Sequence, residues 1–177
     1  MLCEALTLRP LNENDAAAFT ELRLKAIDDS PSANWPTLDE ERARPLDAIA
    51  TQIRQTPKQI VFGVFDQHML IGIAGLRQEP YAQLRHKGML WGVFVDPLYR
   101  NVGVARELLG AALTHARNMQ LRQIHLRVNT ENHRARQLYA TSGFTGYGIE
   151  HRAMCVNGRY FDEENMVLYL DREHTAA

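Results

Sequence analysis

The chain has 177 residues, of which 45% are hydrophobic and 23% charged, values typical of one ordinary globular domain spanning residues 1–177. Its formal net charge of −1 argues against nucleic acid and acidic membranes as partners. The widely separated Cys3 and Cys155 form neither a disulfide framework nor a zinc motif, and the seven histidines lack metal-ligand spacing, so we expect no metal.

The N-terminal sequence MLCEALTLRP predicts a short strand over residues 6–8 rather than a targeting segment. It lacks the basic start and the apolar stretch of a signal peptide. Apolar stretches elsewhere fall short of the roughly 20 residues that a membrane span needs. We therefore expect a cytoplasmic protein.

Helices are predicted to follow this strand. Residues 12–15 supply Asn and Asp side chains that cap a helix over residues 16–27, because such side chains accept from free amides at a helix start. Residues 28–36 hold two prolines and several short polar side chains, which break regular structure. Helix is predicted again from near Leu38 and over residues 48–54.

The rest of the chain alternates strands with two amphipathic helices. Turn and breaker residues separate them: residues 66–68 form a hairpin turn, Pro97 ends a strand, Gly143 ends a helix, and Asn157-Gly158 forms a second hairpin. The predicted strands are 60–65, 70–76, 89–95, 123–128 and a pair around Asn157-Gly158, and the predicted helices begin at Gly103 and cover 135–142. The order is strand, two helices, three strands, helix, strand, helix, two strands. It predicts a mixed α/β (α+β) fold with one central sheet and helices on both faces.

Charge is distributed unevenly along this fold. Residues 100–136 contain seven arginines and two acids, whereas residues 28–47 contain six acids and two arginines. The two segments are either solvated helix faces or a basic half for a polyphosphate and an acidic half for a cationic ligand.

The segment Arg100-x-x-Gly103-x-Ala105 opens the first of the two amphipathic helices. A helix N-terminus presents free amides and a partial positive charge to phosphate groups. Gly103 and Ala105 permit close backbone approach, and Arg100 and Arg106 can add charge-assisted hydrogen bonds. The segment is neither a Walker loop nor the three-glycine dinucleotide fingerprint.

A second pattern follows the strand at residues 123–128. It runs Asn132, Ala135, Leu138, Tyr139, Gly143 and Phe144 at fixed spacing. Together with the strand, the proline stop and the loop at Gly103, it resembles the acetyl-coenzyme A site of the GNAT superfamily, the general N-acetyltransferases. The resemblance covers residues 89–144 closely, with Ala105 where the family usually has glycine, and the order of elements matches the GNAT fold.

The resemblance implies acetyl-CoA as co-substrate and a set of site residues. The strand backbone would pair with the pantetheine arm, an amide near Val95 would polarise the thioester carbonyl, and Tyr139 would protonate the leaving thiolate. In the family this strand is bulged and splays from its neighbour, which opens a slot for the thioester. Asn132 either caps its helix alone or also reaches the pantetheine. The implied cofactor-binding residues are Val93, Phe94, Val95, Arg100, Asn101, Val102, Gly103, Val104, Ala105, Arg106 and Asn132.

The identity of a general base stays open. An alkylamine with a pKa near 10.4 is less than about 1% neutral at pH 7, so a base is useful. Some relatives place a glutamate in the strand before Asn132, but this chain has Arg127 there. Glu131, His86 and the acids of residues 28–47 are the remaining candidates.

The resulting hypothesis is an N-acetyltransferase that acetylates a primary amine by direct attack in a ternary complex. The alternatives are a CoA-binding regulatory module without turnover and, less favoured, a nucleic-acid-binding domain. We expect the acceptor, a small-molecule amine or a peptide or protein N-terminus, to meet residues 28–36 with Trp35 and the hairpin carrying Tyr160, Phe161 and residues 162–164. Homodimers are common in the family, so one is possible here.

Overall fold

A computed structural model describes residues 6–171, and Cys3 lies outside them. Seven strands form one sheet in the order β1-β2-β3-β4-β5-β7-β6. All neighbouring strands are antiparallel except β4 and β5, which run parallel, so the sheet is mixed. The strands are β1 (Thr7–Pro10), β2 (Gln59–Asp66), β3 (Met69–Gln78), β4 (Lys87–Val95), β5 (Gln123–Asn129), β6 (Thr145–Val156) and β7 (Arg159–Tyr169).

Helices cover both faces of the sheet, as predicted. They are α1 (Ala16–Asp29), α2 (Leu38–Arg42), α3 (Leu46–Ile53), α4 (Val104–Asn118) and α5 (His133–Thr141). On one face α4 buries an apolar stripe that includes Leu108 and Leu109, and on the other α1 and α3 bury Phe19, Ile49 and Ile53. None of the helices within residues 6–171 is long and apolar enough to cross a membrane.

The predicted element order is confirmed, with two local differences. Three helices, not two, separate β1 from β2, because Pro45 interrupts the second helical stretch between α2 and α3. Asn12 caps a short 3-10 turn ahead of α1 in a capping box with Asp15, rather than capping α1 itself. The Asn157-Gly158 turn has positive φ at both residues, as the hairpin prediction requires.

The register of β4 is interrupted at Gly92. Trp91 pairs with Gly75 and Phe94 with Ile73, so Gly92 and Val93 together oppose one residue of β3. Gly92 has a φ of +63°, a conformation that glycine adopts at low cost. The resulting bulge bends β4, whose pairing with β5 ends at Met89. A gap therefore opens between the carboxyl-terminal halves of β4 and β5.

A buried charge network holds the loop between α1 and α2. The Glu41 side chain is fully buried, 3.7 Å from the Nε of Arg23 and 3.3 Å from the Nη1 of Arg44. Arg23 donates to Asn34 at 2.9 Å, and the Asn34 amide donates to the carbonyl oxygens of Ala26 and Ser30. The loop is thus fixed one residue before Trp35.

Replacing Glu41 should destabilise the protein strongly. Glu41→Ala leaves the buried Arg23 without its counter-charge, and removing one partner of a buried pair costs on the order of 3 kcal/mol. Chemical denaturation should show this loss, whereas Asp39→Ala, which breaks an exposed pair with Arg42 on the same helix, should cost less than about 1 kcal/mol. Equal effects of the two substitutions would contradict the assignment.

Candidate active site

The loop before α4 exposes backbone amides at an open surface. Gly103 is the N-cap residue, with a φ of +95°, and Asn101 has a φ of +66°. The amides of Arg106 and Glu107 donate to the Gly103 carbonyl, whereas among the described residues those of Val104 and Ala105 have no backbone acceptor. A Cβ built on Gly103 would meet nothing within 4 Å, so a ligand phosphate has room to approach these amides.

The two arginines of the loop differ in their contacts. Arg100 donates from Nε to the Val95 carbonyl at 3.0 Å and pairs with Asp29 at 2.7 Å, and its guanidinium lies 5.4 Å from the centre of the Phe94 ring. This pairing lowers the pKa of the Asp29 carboxyl. Arg106 is exposed and makes no side-chain hydrogen bond or ion pair within the described part of the chain. Arg100 therefore fixes the end of β4 onto α1, and Arg106 is available to a ligand.

The gap between β4 and β5 presents backbone groups of β4. The amide of Asp96 donates to Ile71 of β3. Since backbone groups alternate in direction along a strand, the amide of Val95 points away from β3, toward the gap. Bulge, splayed strands and this amide together match the slot implied by the resemblance.

Asn132 is the N-cap residue of α5 and Tyr139 lies within this helix, beyond the end of β5. The Asn132 side chain accepts from the Ala135 amide at 3.1 Å and so caps the helix. Tyr139 is 7% exposed, its ring meets Phe144 edge-on at 5.8 Å, and it belongs to the same buried cluster as Val95. Burial raises the pKa of the Tyr139 hydroxyl above its usual value, so the hydroxyl is protonated throughout the neutral pH range.

A cleft of about 400 Å³ lies on the sheet face away from α4. Arg127 at its wall pairs with Glu150 at 3.2 Å, and its guanidinium lies 5.8 Å from the Trp35 ring. Arg127 is therefore occupied by contacts within the protein. The lining residues are Trp35, Arg127, Ala153, Met154, Cys155 and Glu163.

Glu163 on β7 is the functional candidate that the sequence did not single out. It is 6% exposed, and its Oε1 accepts from the Trp35 indole at 3.2 Å. Within residues 6–171 no Lys, Arg or His lies within ion-pair distance of this carboxylate. Sequence placed Trp35 and residues 162–164 in one acceptor region, but only the fold joins Glu163 to Trp35, 128 positions away.

The candidates for the general base that were named from sequence lie outside this cleft. Glu131 pairs with Arg159 at 2.8 Å on the surface, and His86 is exposed. In the acidic segment, Asp29 pairs with Arg100 and Glu41 is enclosed with Arg23. None of these side chains lines the cleft.

Known proteins share this architecture. A family model described as the GNAT acetyltransferase domain matches residues 8–165. The chain is 28% identical over 160 residues to the N-alpha-acetyltransferase RimI of Mycobacterium tuberculosis, with 88% of both chains covered. It is 25% identical over 154 residues to the aminoglycoside N(6′)-acetyltransferase type 1 of Stenotrophomonas maltophilia, covering 81% of this chain and 89% of the relative.

A solved structure agrees at the level of the fold. The protein yncA of Salmonella typhimurium, determined with its cofactor acetyl-CoA, superposes with a TM-score of 0.83 at 24% identity, and 98% of each chain is covered. The family match spans the seven-stranded sheet, the loop at Gly103 and the helix that carries Tyr139. The chain thus belongs to the GNAT family of acetyltransferases and is an acyltransferase.

Proposed function

We propose that the protein transfers the acetyl group of acetyl-CoA to a primary amine by direct attack in a ternary complex. The observation that carries the proposal is the gap between β4 and β5, which opens after their last pair at Met89, includes the Gly92 bulge and lies beside the open amides at Gly103. A thioester arm in this gap would have its phosphates at the N-terminus of α4. Its acetyl group would lie toward the cleft at Trp35.

In this mechanism the chain holds the thioester and stabilises the negative charge that develops on its oxygen and on its sulfur. The Val95 amide donates a hydrogen bond to the thioester oxygen as negative charge develops there. Tyr139 donates its proton to the sulfur as the carbon–sulfur bond breaks, and burial keeps that proton in place at neutral pH. Asn132 fixes the start of α5, and Val93 and Phe94 provide backbone along the gap.

The phosphates would meet the loop rather than the sheet. The amides of Val104 and Ala105 have no backbone acceptor among the described residues, and Asn101 and Val102 form the exposed turn before them. Arg106 adds a cation that makes no ion pair with any of residues 6–171. Arg100 contributes indirectly, because it holds the turn to α1 through Asp29.

The acceptor would occupy the cleft lined by Trp35 and Glu163. A carboxylate beside an aromatic ring suits a cationic amine. Two similar proteins are named for amine acceptors, an aminoglycoside in one case and the α-amino group in the other. A small-molecule amine and a peptide or protein N-terminus are therefore the acceptor classes we propose; a homodimer and a cytoplasmic location stay predictions.

A screen of thiol release from acetyl-CoA tests the function. Polyamines, aminoglycosides, amino acids and peptides with free N-termini should be compared, and at least one class should release CoA and yield the acetylated amine. A protein that binds acetyl-CoA tightly but acetylates no amine would instead be a regulatory module.

Tyr139→Phe should reduce kcat by about 10²-fold, within the range that general acids contribute. The ring and its contact with Phe144 are kept, so acetyl-CoA binding and the melting temperature should change little. Steady-state kinetics with an accepted amine measure the loss, and calorimetric titration with CoA provides the control. Unchanged kcat would remove Tyr139 from the mechanism.

Arg106→Ala should weaken acetyl-CoA binding about tenfold, because one charge-assisted contact with a phosphate is lost. The matched control is Arg117→Ala near the other end of α4, which should leave the affinity unchanged. Acetyl-pantetheine lacks the phosphates, so its turnover should not distinguish Arg106→Ala from wild type. A loss that appears equally with both thioesters would contradict a phosphate contact.

A further inference from the structure

We propose that Glu163 binds the ammonium group of the acceptor and takes its proton before attack on the thioester. This role rests on the proposed N-acetyltransferase function. It supplies the base that is missing from β5, where Arg127 stands at the position of the glutamate that some relatives have. It assigns the cleft at Trp35 to a protonated amine.

The burial and pairing of Glu163 support this role. A carboxylate withdrawn from water is costly unless a cation or several hydrogen bonds compensate it. Glu163 is 6% exposed, and within residues 6–171 its carboxylate has one hydrogen bond, from Trp35 to Oε1. A ligand ammonium in the cleft would supply the missing positive charge, and Trp35 would hold the carboxylate and offer its ring face.

Neighbouring carboxylates do not compete for this role. The neighbouring carboxylates already have partners in the protein: Glu150 faces Arg127, Glu164 faces Arg136, Glu131 faces Arg159, and Asp162 is hydrogen-bonded to His151 and to the Arg152 backbone amide. Among the residues that line the cleft, Glu163 is the acid. Glu163 is therefore the side chain that would select an ammonium group in this cleft.

The position of Glu163 places it near the thioester gap. In the sheet register it lies opposite Asn129, the last residue of β5. Adjacent strands are about 4.8 Å apart, so Glu163 lies one strand away from the gap between β4 and β5. The side-chain amide of Asn129 donates to the Ser32 carbonyl at 2.9 Å. This bond holds the loop between α1 and α2, which we call the Trp35 loop, at the same end of the sheet.

The proton balance is simple. The bound ammonium gives one proton to Glu163, and its nitrogen lone pair then forms the new carbon–nitrogen bond. As the carbon–sulfur bond breaks, the sulfur takes the Tyr139 proton, and the remaining ammonium-like proton on nitrogen restores Tyr139 through solvent. Glu163 releases its proton to water, so each turnover yields one amide, one thiol and one proton.

Glu163→Gln tests this role through the pH profile. The Gln side-chain oxygen still accepts from the Trp35 indole, so the loop is kept while the base is removed. We expect kcat/KM to fall about 100-fold at pH 7 and the deficit to shrink about tenfold per pH unit up to pH 9, because the free amine fraction grows at that rate. The other titratable groups around the cleft are Arg127 and Glu150, which face each other, Cys155 on β6, and the pair of His151 with Asp162, the residue before Glu163. All variants are therefore made in a Cys155→Ser background, so that thiol ionisation does not enter the profile.

Glu131→Gln is the matched control, since Glu131 is an exposed carboxylate on the same end of the sheet and was itself a candidate base. It should keep the wild-type profile. A pH-independent loss in Glu163→Gln would show a structural role only, and a pH-dependent loss in Glu131→Gln would move the base there. Either result overturns the proposal.

Failure of the underlying function is recognised separately. If the wild-type protein binds acetyl-CoA but acetylates no amine, the transferase proposal is wrong, and the role of Glu163 fails with it. If wild type and Glu163→Gln acetylate the same amine equally well at pH 7, only the role of Glu163 is wrong.

Discussion

The site depends on one constraint: β4 pairs with β3 along its length but with β5 only at its beginning. The bulge at Gly92 turns the second half of β4 away from β5, and Arg100 fixes its end by bonding the Val95 carbonyl and pairing with Asp29 on α1. A strand that leaves its neighbour exposes amides and carbonyls that would otherwise be satisfied in the sheet. A ligand arm that pairs with them would supply those hydrogen bonds. The unpaired backbone groups of β4 therefore favour binding of such an arm.

The candidate site has parts on both faces of the sheet. On one face, α4 and α5 present the open amides beyond Gly103 and bury Tyr139 among apolar side chains. On the other, the loop between α1 and α2 lies against β5 and β7 and forms the cleft at Glu163. Burial keeps the Tyr139 hydroxyl protonated, whereas the Glu163 carboxylate lies beside the Trp35 indole and faces no cation within residues 6–171. In the proposed mechanism, two substrates approaching from opposite faces would meet at the gap.

Local rules were enough for the elements and for the loop at Gly103. Alternating apolar residues, proline stops and Asn-Gly turns predicted β2 to β7, and the glycine before α4 has the positive φ that favours this residue. Arg100 shows where such reasoning ended. The loop pattern predicted a phosphate ligand for this side chain, and it could not show that Asp29, 71 positions away, pairs with the same guanidinium. Glu163 was predicted only as part of an acceptor region at residues 162–164 and not as a base, because its burial and its contact with Trp35 arise from strand register and loop placement. The burial of Tyr139 likewise depends on packing between distant elements.

The Trp35 loop is anchored independently of its tip. Arg23, Glu41 and Asn34 hold its base in a buried network on α1 and α2, while the tip touches the sheet through the hydrogen bonds at Asn129 and Glu163. Residues of the tip can therefore be exchanged without unfolding the loop and without disturbing the phosphate-binding end of α4. Such a separation lets acceptor preference drift under selection while the acetyl donor stays the same. A library confined to Ser32, Ala33 and Pro36, which keeps Asn34 in the buried network and Trp35 at Glu163, is where we would vary acceptor preference.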